Sequence, residues 1–507
     1  MRTLLRGGTL HVPGTTSGAT SVAIEDGRLV WIGTEDASDP WSGADEVVDL
    51  EGRLVTPAFV DAHVHVVQTG DQLVGLDLTR ATSLADCFDR LAAHAVAVTE
   101  HGLVVGQSWD ETLWPERTHP TADLIERVAP GRRVLLARID GHSSVASHAL
   151  LAEVPGIAEL DGWSADGRLE RDAKRALTDR LGELVPAEQR AASARVALRE
   201  MARLGIAGFH ENAAPHIGPA EEIDVVRQAA TEVGLHGTYY WGAHLAFDDV
   251  DRLGVSGLAG DLNADGAVGS RTAAFRAPYA DATHTCGHGF LDADQIAEHV
   301  VGCTERGIQA GFHCIGDAAL DAIADGFRRA ADRCGHDAIR GSQHRLEHCE
   351  APSPEAMTLF AELSVTASVQ PMFDGLWGGP DRMYAARVGE RWRDLNPFRA
   401  LADAGVRLAF GSDSPVTGLD PWQAVRAAVH HRTPGQGLRG DEAFAAHTRG
   451  GWAAARIHDD GGLRVGEWAS LAVWDAPEFP DLDDPAAESP RCLRTLSRGR
   501  TIHQEEA

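Results

Sequence analysis

Lysine is almost absent. Among 507 residues there is one, at position 174, so the other basic residues are arginines. The 46 basic against 75 acidic side chains give a formal charge of −29. That field excludes any general attraction to nucleic acid or to an anionic membrane, and mainly favours solubility. Cysteine is scarce too: seven, scattered, odd in number and without a repeated CxxC spacing. This argues against a disulfide framework and fits a reducing compartment. No stretch approaches the ~20 apolar residues of a membrane span. The start, "MRTLLRGGTLHVPG", lacks a long apolar region of the kind that directs secretion. A soluble, cytoplasmic protein is the expectation. No phosphate-binding loop, dinucleotide fingerprint or plausible Ser–His pair is present.

What is there is ample for a large core: 43% hydrophobic and 24% charged residues. The length suggests one large domain with a smaller partner. "SVAIEDGRLVWIG" alternates apolar positions around Asp26–Gly27, a hairpin signal, and "ASLAVWDA" and "CLRTLSRGRTIHQ" supply strand-like material near the other end. Both ends together then form a composite β-sandwich domain, 1–55 with 463–507, and "APEFPDLDDPAAESP" is a surface loop.

The middle alternates short apolar strands with helical stretches such as "DQIAEHVVGCTERG" and "PEAMTLFAELS". Strands that end on polar residues are "LVTPAFVDAHVH", "GIAGFHEN", "LHGTYYWG", "GLAGDLNADG", "GIQAGFHC", "QHRLEHCE", "VTASVQPM" and "VRLAFGSDSP". Eight such units predict an α/β chain folded as a (β/α)8 TIM barrel over 56–70 and 171–462. The insertion between the first and second strands, 71–170, reads as a cap over the barrel mouth, with its own strands "LVVGQSW" and "RVLLARIDGH". A long helix over roughly Pro186–Leu204 follows it, with proline in the first turn.

Side chains alternate across a strand, so His63 and His65 in "AFVDAHVH" project to one side. At the C-terminal end of an inward-facing barrel strand, that side is the catalytic mouth. An isolated HxH is more often core than ligand. Recurrence changes the balance: His313, His348 and Asp413 also fall at strand ends. Imidazoles and a carboxylate suit zinc or another divalent metal, and their burial without a cation would be costly.

"VTPAFVDAHVH", "GIAGFHENAAPH", "ADGAVGSRTAAF", "GFHCIGDAALD", "HRLEHCE", "SVQPM" and "FGSDSPV", in that order, resemble the metal-dependent amidohydrolase superfamily. The nearest branch looks like the family-3 group of YtcJ-like, exoenzyme-like and formamide-deformylase-like hydrolases. The resemblance runs nearly end to end, through the "GLRVGEWASLAVWD" tail. It implies hydrolysis of C–N bonds in amides or cyclic amides, a small-molecule substrate, and metal ligands at His63, His65, His313, His348 and Asp413. Relatives often form dimers. Many of them also carry a carbamylated lysine four residues before the "DG", where this chain has Asp261. Lys174, in the charged "ERDAKRAL", is a poor substitute, so no carbamylated lysine is expected. Asp261 then bridges two metals as a shorter carboxylate (some relatives bridge with glutamate), binds one, or holds a histidine.

A divalent ion lowers the pKa of bound water towards ~7 and polarises a carbonyl. Asp413 is placed to accept the water proton and pass it to the leaving amine, and His348 to bind a second metal or steady an oxyanion. Arg271 is a candidate for a substrate carboxylate, or else a structural salt bridge. His210 and Glu211 are expected to line the mouth or to orient ligands. From the cap, "SWDETLWPE" and "IDGHS" point to Asp110, Asp140 and His142. Trp109, Trp114 and Trp241 are either an aromatic wall or packing. "THTCGHG" at 283–289 reads as a loop, and the "HDD" of His458–Asp460 as solvated surface. Ester hydrolysis, deamination and a catalytically silent binding barrel remain open beside amide hydrolysis.

Overall fold

A computed structural model of the protein describes residues 1–11, 18–98, 102–484 and 487–505. Eight strands run parallel in one sheet: β1 (Phe59–Val64), β2 (Ile206–Ala213), β3 (His236–Trp241), β4 (Gly257–Leu258), β5 (Gln309–Cys314), β6 (Arg345–His348), β7 (Thr366–Val369) and β8 (Arg407–Phe410). The sheet closes where β8 returns to β1: Val64 bridges Ser414, the Asp413 N–H donates to His63 O at 2.7 Å, and the His65 N–H donates to Ser414 O at 3.0 Å. This is the expected TIM barrel. Its strands are buried on both faces, as a parallel sheet covered by helices requires. Side chains such as Phe59, Ile206, Phe209 and Phe312 are fully buried, and each contributes about 1.5–3 kcal/mol by leaving water.

Two strand expectations need correction. "LVTPAFVDAHVH" is not one strand: Leu54–Pro57 pairs with Leu471–Trp474 in the terminal sheet, and only Ala58 separates it from β1. "GLAGDLNADG" yields only Gly257–Leu258, because Gly260 turns the chain at φ +77° and residues 259–266 follow an irregular path tied to β5 through the Asn263–His313 bridge. The Asp26–Gly27 hairpin forms as expected, between Ser21–Glu25 and Arg28–Gly33.

Between β1 and β2 stand α1 (Val66–Val74), a five-stranded sheet built from residues 76–169, and two helices, α2 (Arg171–Leu184) and α3 (Ala187–Arg203). α3 follows Pro186 and packs against α1 and α4 (Glu222–Val233). α2 lays Ala173 and Leu177 on Ala146, Leu150 and Leu169 of the inserted sheet. Among the described residues no helix is long and apolar enough to cross a membrane. "THTCGHG" lies in an irregular loop. "HDD" is not solvated throughout: Asp460 is buried and pairs with Arg498 at 3.1 Å. The tail loop is likewise partly anchored, since Leu482 is buried and Phe479 stacks on His11.

Candidate metal centre

β1 delivers His63 and His65 to the C-terminal rim of the barrel, β5 delivers His313, β6 His348, and the loop after β8 Asp413. Asp261, from the irregular segment after β4, sits at their centre. One of its oxygens, Oδ2, lies 3.2 Å from His65 Nε2. The other, Oδ1, lies 3.5 Å from His63 Nε2, 3.6 Å from His313 Nδ1 and 3.8 Å from His348 Nε2. Asp413 Oδ1 is 3.4 Å from His63 Nε2 and 3.1 Å from His65 Nε2. Two donor groups result, His63–His65–Asp413 and His63–Asp261–His348.

The rings are turned deliberately. His63 Nδ1 donates to Glu347 Oε2 at 2.9 Å, His348 Nδ1 to Gln370 Oε1 at 2.7 Å, and His313 Nε2 to Gly266 O at 3.3 Å. Each bond spends one N–H away from the centre and leaves the other nitrogen facing Asp261. Glu347 is in turn held by Arg345, which also reaches His210 Nδ1, Ala62 O and Ser368 Oγ; the whole chain is buried. Asp61 fixes the seam between first and last strands, accepting from the His63 and Ser412 N–H groups and the Ser412 hydroxyl. The strands meet so closely there that a side chain on Gly411 would lie 2.4 Å from His63 N. His348 and Asp413 both hold positive φ, +67° and +53°, a backbone cost found where the surrounding structure fixes a functional group.

The imidazoles and carboxylates of the cluster strongly shift one another. Burial alone pushes His63 and His65 down, but Asp261 and Asp413 outweigh it, holding His63 well above the usual imidazole value and His65 at about 10. Conversely, burial pushes the two carboxylates up, and the imidazoles outweigh it, holding both below the usual range. His63 Nε2 and Asp261 Oδ1 are buried with no hydrogen-bond partner. Buried polar atoms are rarely left so, and a divalent ion satisfies both at once. Four imidazoles and two carboxylates form a donor set suited to zinc. The residues present fit the metal.

Other expected site residues are placed differently. Arg271 is bound to Asp281 through two hydrogen bonds, 3.0 and 2.7 Å, and does not line the cavity, so the structural salt bridge is the correct reading. His210 and Glu211 lie beneath the mouth rather than on it: His210 meets Arg345, and Glu211 accepts from the Val66 N–H that starts α1. Asp110 caps a turn at Thr112 and lies 3.6 Å from Arg138, and Asp140 pairs with the same arginine at 2.6 Å; Asp140 also lines the main cavity, and both line a smaller pocket beside His313, His348 and Asp413. His142 does face the site, its ring centre 5.0 Å from that of His313. Trp109 and Trp114 are packed, their N–H groups bound to Leu136 O and Ala81 O, and Trp241 is buried against Asp249. None of these three lines the main cavity; the smaller pocket beside it instead places Phe373 and Trp377 next to His313, His348 and Asp413.

Lys174 is the largest correction. Its helix, α2, is charged, but the lysine lines the same cavity of about 630 Å³ as His65, Asp261, His313, His348 and Asp413. Its partners come from loops far away in the chain, which no local pattern records. Glu347 and Gln370 were also missed. Arg345 and Glu347 alternate inside a strand that should be wholly apolar, and that alternation was the available signal.

Residues 46–503 match the amidohydrolase family, and the chain belongs to it. It is 26% identical over 526 residues to the protein LONG AFTER FAR-RED 3 of Arabidopsis thaliana, covering 96% of this chain and 88% of that one. To the N-substituted formamide deformylase of Arthrobacter pascens it is 23% identical over 511 residues, covering 92% and 91%. A crystal structure of an uncharacterized metal-dependent hydrolase from Pyrococcus horikoshii matches with a TM-score of 0.74 at 23% identity, over 94% of this chain and 98% of that one. That likeness is one of fold.

Proposed function

We propose that the protein is a metal-dependent hydrolase of a non-peptide C–N bond, in an amide, an N-formyl group or a cyclic amide. One observation carries the reading: two buried donor groups, His63–His65–Asp413 and His63–Asp261–His348, lie side by side where His65, Asp261, His348 and Asp413 line a cavity of about 630 Å³. Family membership supports it, and so does the name of the Arthrobacter relative. In this reading His63, His65 and Asp413 would hold one divalent ion and His313 and His348 a second, with the Asp261 carboxylate available to both in place of a carbamylated lysine. Zinc is the ion that best suits the donors. When bound, the metal supplies a nucleophile from water near neutral pH and polarises the substrate carbonyl.

The chain's own residues do the rest. Asp413, ionised because the imidazoles hold its pKa low, accepts the proton of the attacking water and returns it to the leaving nitrogen. Glu347 and Gln370 keep His63 and His348 in the tautomers that face the metal. His142 approaches from the inserted segment, and residues 71–170, read as the cap, share the cavity wall with α2. Asp413→Asn tests the assignment. Metal-loaded protein without a histidine tag is screened on N-formyl, N-acyl and cyclic amides, with esters and amino-heterocycles alongside. The variant is expected to keep its metal and lose roughly 10²–10⁴ in rate. Full activity in the variant overturns the role, turnover of esters or amino-heterocycles alone overturns the bond class, and an untagged chain that holds no metal favours a silent barrel.

A further inference from the structure

Lys174 is out of character for this chain. The protein carries 75 acidic side chains against 46 basic ones, so a cation has carboxylates to choose from. On the cavity wall Arg138 is held by Glu111 and Asp140 and Arg171 by Asp161, while Arg190 donates to the carbonyls of Gly182 and Val185 at 3.1 and 2.6 Å. Lys174 has none within ion-pair distance among the described residues. Its one hydrogen bond is long, 3.4 Å to the carbonyl of His216. Neighbouring Arg175 also lines the cavity, is exposed, and has no partner among the described residues.

Desolvation pulls the lysine down to about 8, although the charges of Asp140 and Asp261 oppose it. Burial pushes His216, on the same wall, down to about 3, so it stays neutral and is not a competing cation. Lys174 is half-buried and lines the cavity with no carboxylate at ion-pair distance, so an anion entering there gains a charge-assisted partner. The alkyl stem gives it reach, and a carboxylate is the compact anion that an ammonium pairs with through a charge-assisted hydrogen bond.

We infer that Lys174, presented by α2 beside the inserted sheet, is the specificity-determining residue of the cavity and pairs with a carboxylate carried by the substrate. The substrate class is therefore an amide with an ionised carboxyl group on its acyl or amine part. This rests on the hydrolase reading for its meaning, but its test does not require bond cleavage.

Metal-loaded protein is titrated calorimetrically with 3-phenylpropanoate and with 3-phenylpropan-1-ol, neither of which contains a hydrolysable bond. Wild type is expected to prefer the acid, and Lys174→Met to weaken the acid by about 10- to 100-fold while changing the alcohol by less than threefold. Lys174→Arg is expected to recover most of the acid's affinity. Metal content and thermal midpoint of Lys174→Met, measured on the same samples, should match wild type or exceed it, since methionine fills the space without a charge to desolvate. If the acid binds the methionine variant as tightly as wild type, its carboxylate is held by the metal instead and the inference falls. Equal weakening of acid and alcohol makes the lysine a structural residue, and also overturns it. If these results hold while no amide is cleaved, the hydrolase reading fails and the carboxylate site stands.

Discussion

Asp261→Asn removes one negative charge from the centre of the donor set and leaves its shape almost unchanged. The carboxylate lies 3.2–3.8 Å from four imidazole nitrogens. At that separation and an effective dielectric of ~20, a pair of unit charges is worth about 4–5 kcal/mol. A divalent ion doubles the figure, and discounting by half for desolvation returns it to about 4–5 kcal/mol, on the order of a thousandfold in affinity. The amide also turns an N–H2 towards nitrogens that present lone pairs. After dialysis against a chelator, metal per chain is counted by plasma mass spectrometry, and affinity is read by competition with a chromogenic chelator. Wild type should retain more ions per chain than the variant, and the tightest remaining ion should bind on the order of a thousandfold more weakly. Asp261→Glu, which keeps the charge, is expected to stay within about tenfold of wild type. An asparagine variant with unchanged metal content and a dissociation constant within about fivefold would refute the bridging role and move the centre onto His63, His65 and Asp413 alone.

Two other consequences are as open to measurement. Gln370→Leu frees the His348 ring, whose Nδ1 then lacks its 2.7 Å acceptor, and should weaken metal binding by about 10- to 100-fold in the same competition assay with little change in fold; unchanged affinity would show that packing alone orients the ring. Glu222, buried on α4 with Gln68 at 3.0 Å, is pushed by burial up to about 8. It stays protonated in the fold while the unfolded chain ionises above about 4.5, so its contribution falls as pH rises from there to about 8. Glu222→Gln should therefore gain about 1–3 kcal/mol over wild type between pH 5 and pH 8, read from thermal midpoints at a fixed scan rate; a gap independent of pH would contradict the shift.

The barrel and the cluster at its rim were legible because both follow from short-range rules. A period of two puts His63 and His65 on one side, and apolar runs that end on His313, His348 and Asp413 mark inward strands. The inserted strands "LVVGQSW" and "RVLLAR" appear at Leu103–Trp109 and Arg133–Arg138 for the same reason. What failed depends on partners distant in sequence or on backbone geometry. Arg271 was left open between a substrate partner and a structural salt bridge because Asp281 gives no sign of bending back to meet it. Strand four looked longer because Gly260 does not announce its left-handed turn. Lys174 was weighed only as a stand-in for the family lysine, because the cavity wall it enters is assembled from α2 and the loop after β2. Asp261 was located by the family resemblance, which left its task open; its approach to within 3.2–3.8 Å of all four imidazoles supports the bridge proposed above.

The single residue between Leu54–Pro57 and β1 has a bearing on how this molecule comes into being. Leu54–Pro57 takes its antiparallel neighbour from Leu471–Trp474, more than four hundred positions later, and His63 takes its seam contact from Asp413. On a ribosome, the histidine-bearing strand emerges early; β2 can pair with one edge once residues 206–213 are made, but the other edge waits for β8 and Asp413. Pairings of such long range are slow to form and leave edges uncovered meanwhile. Competence to bind metal should therefore arrive only after β8 and Asp413 have been made and the seam with β1 has closed.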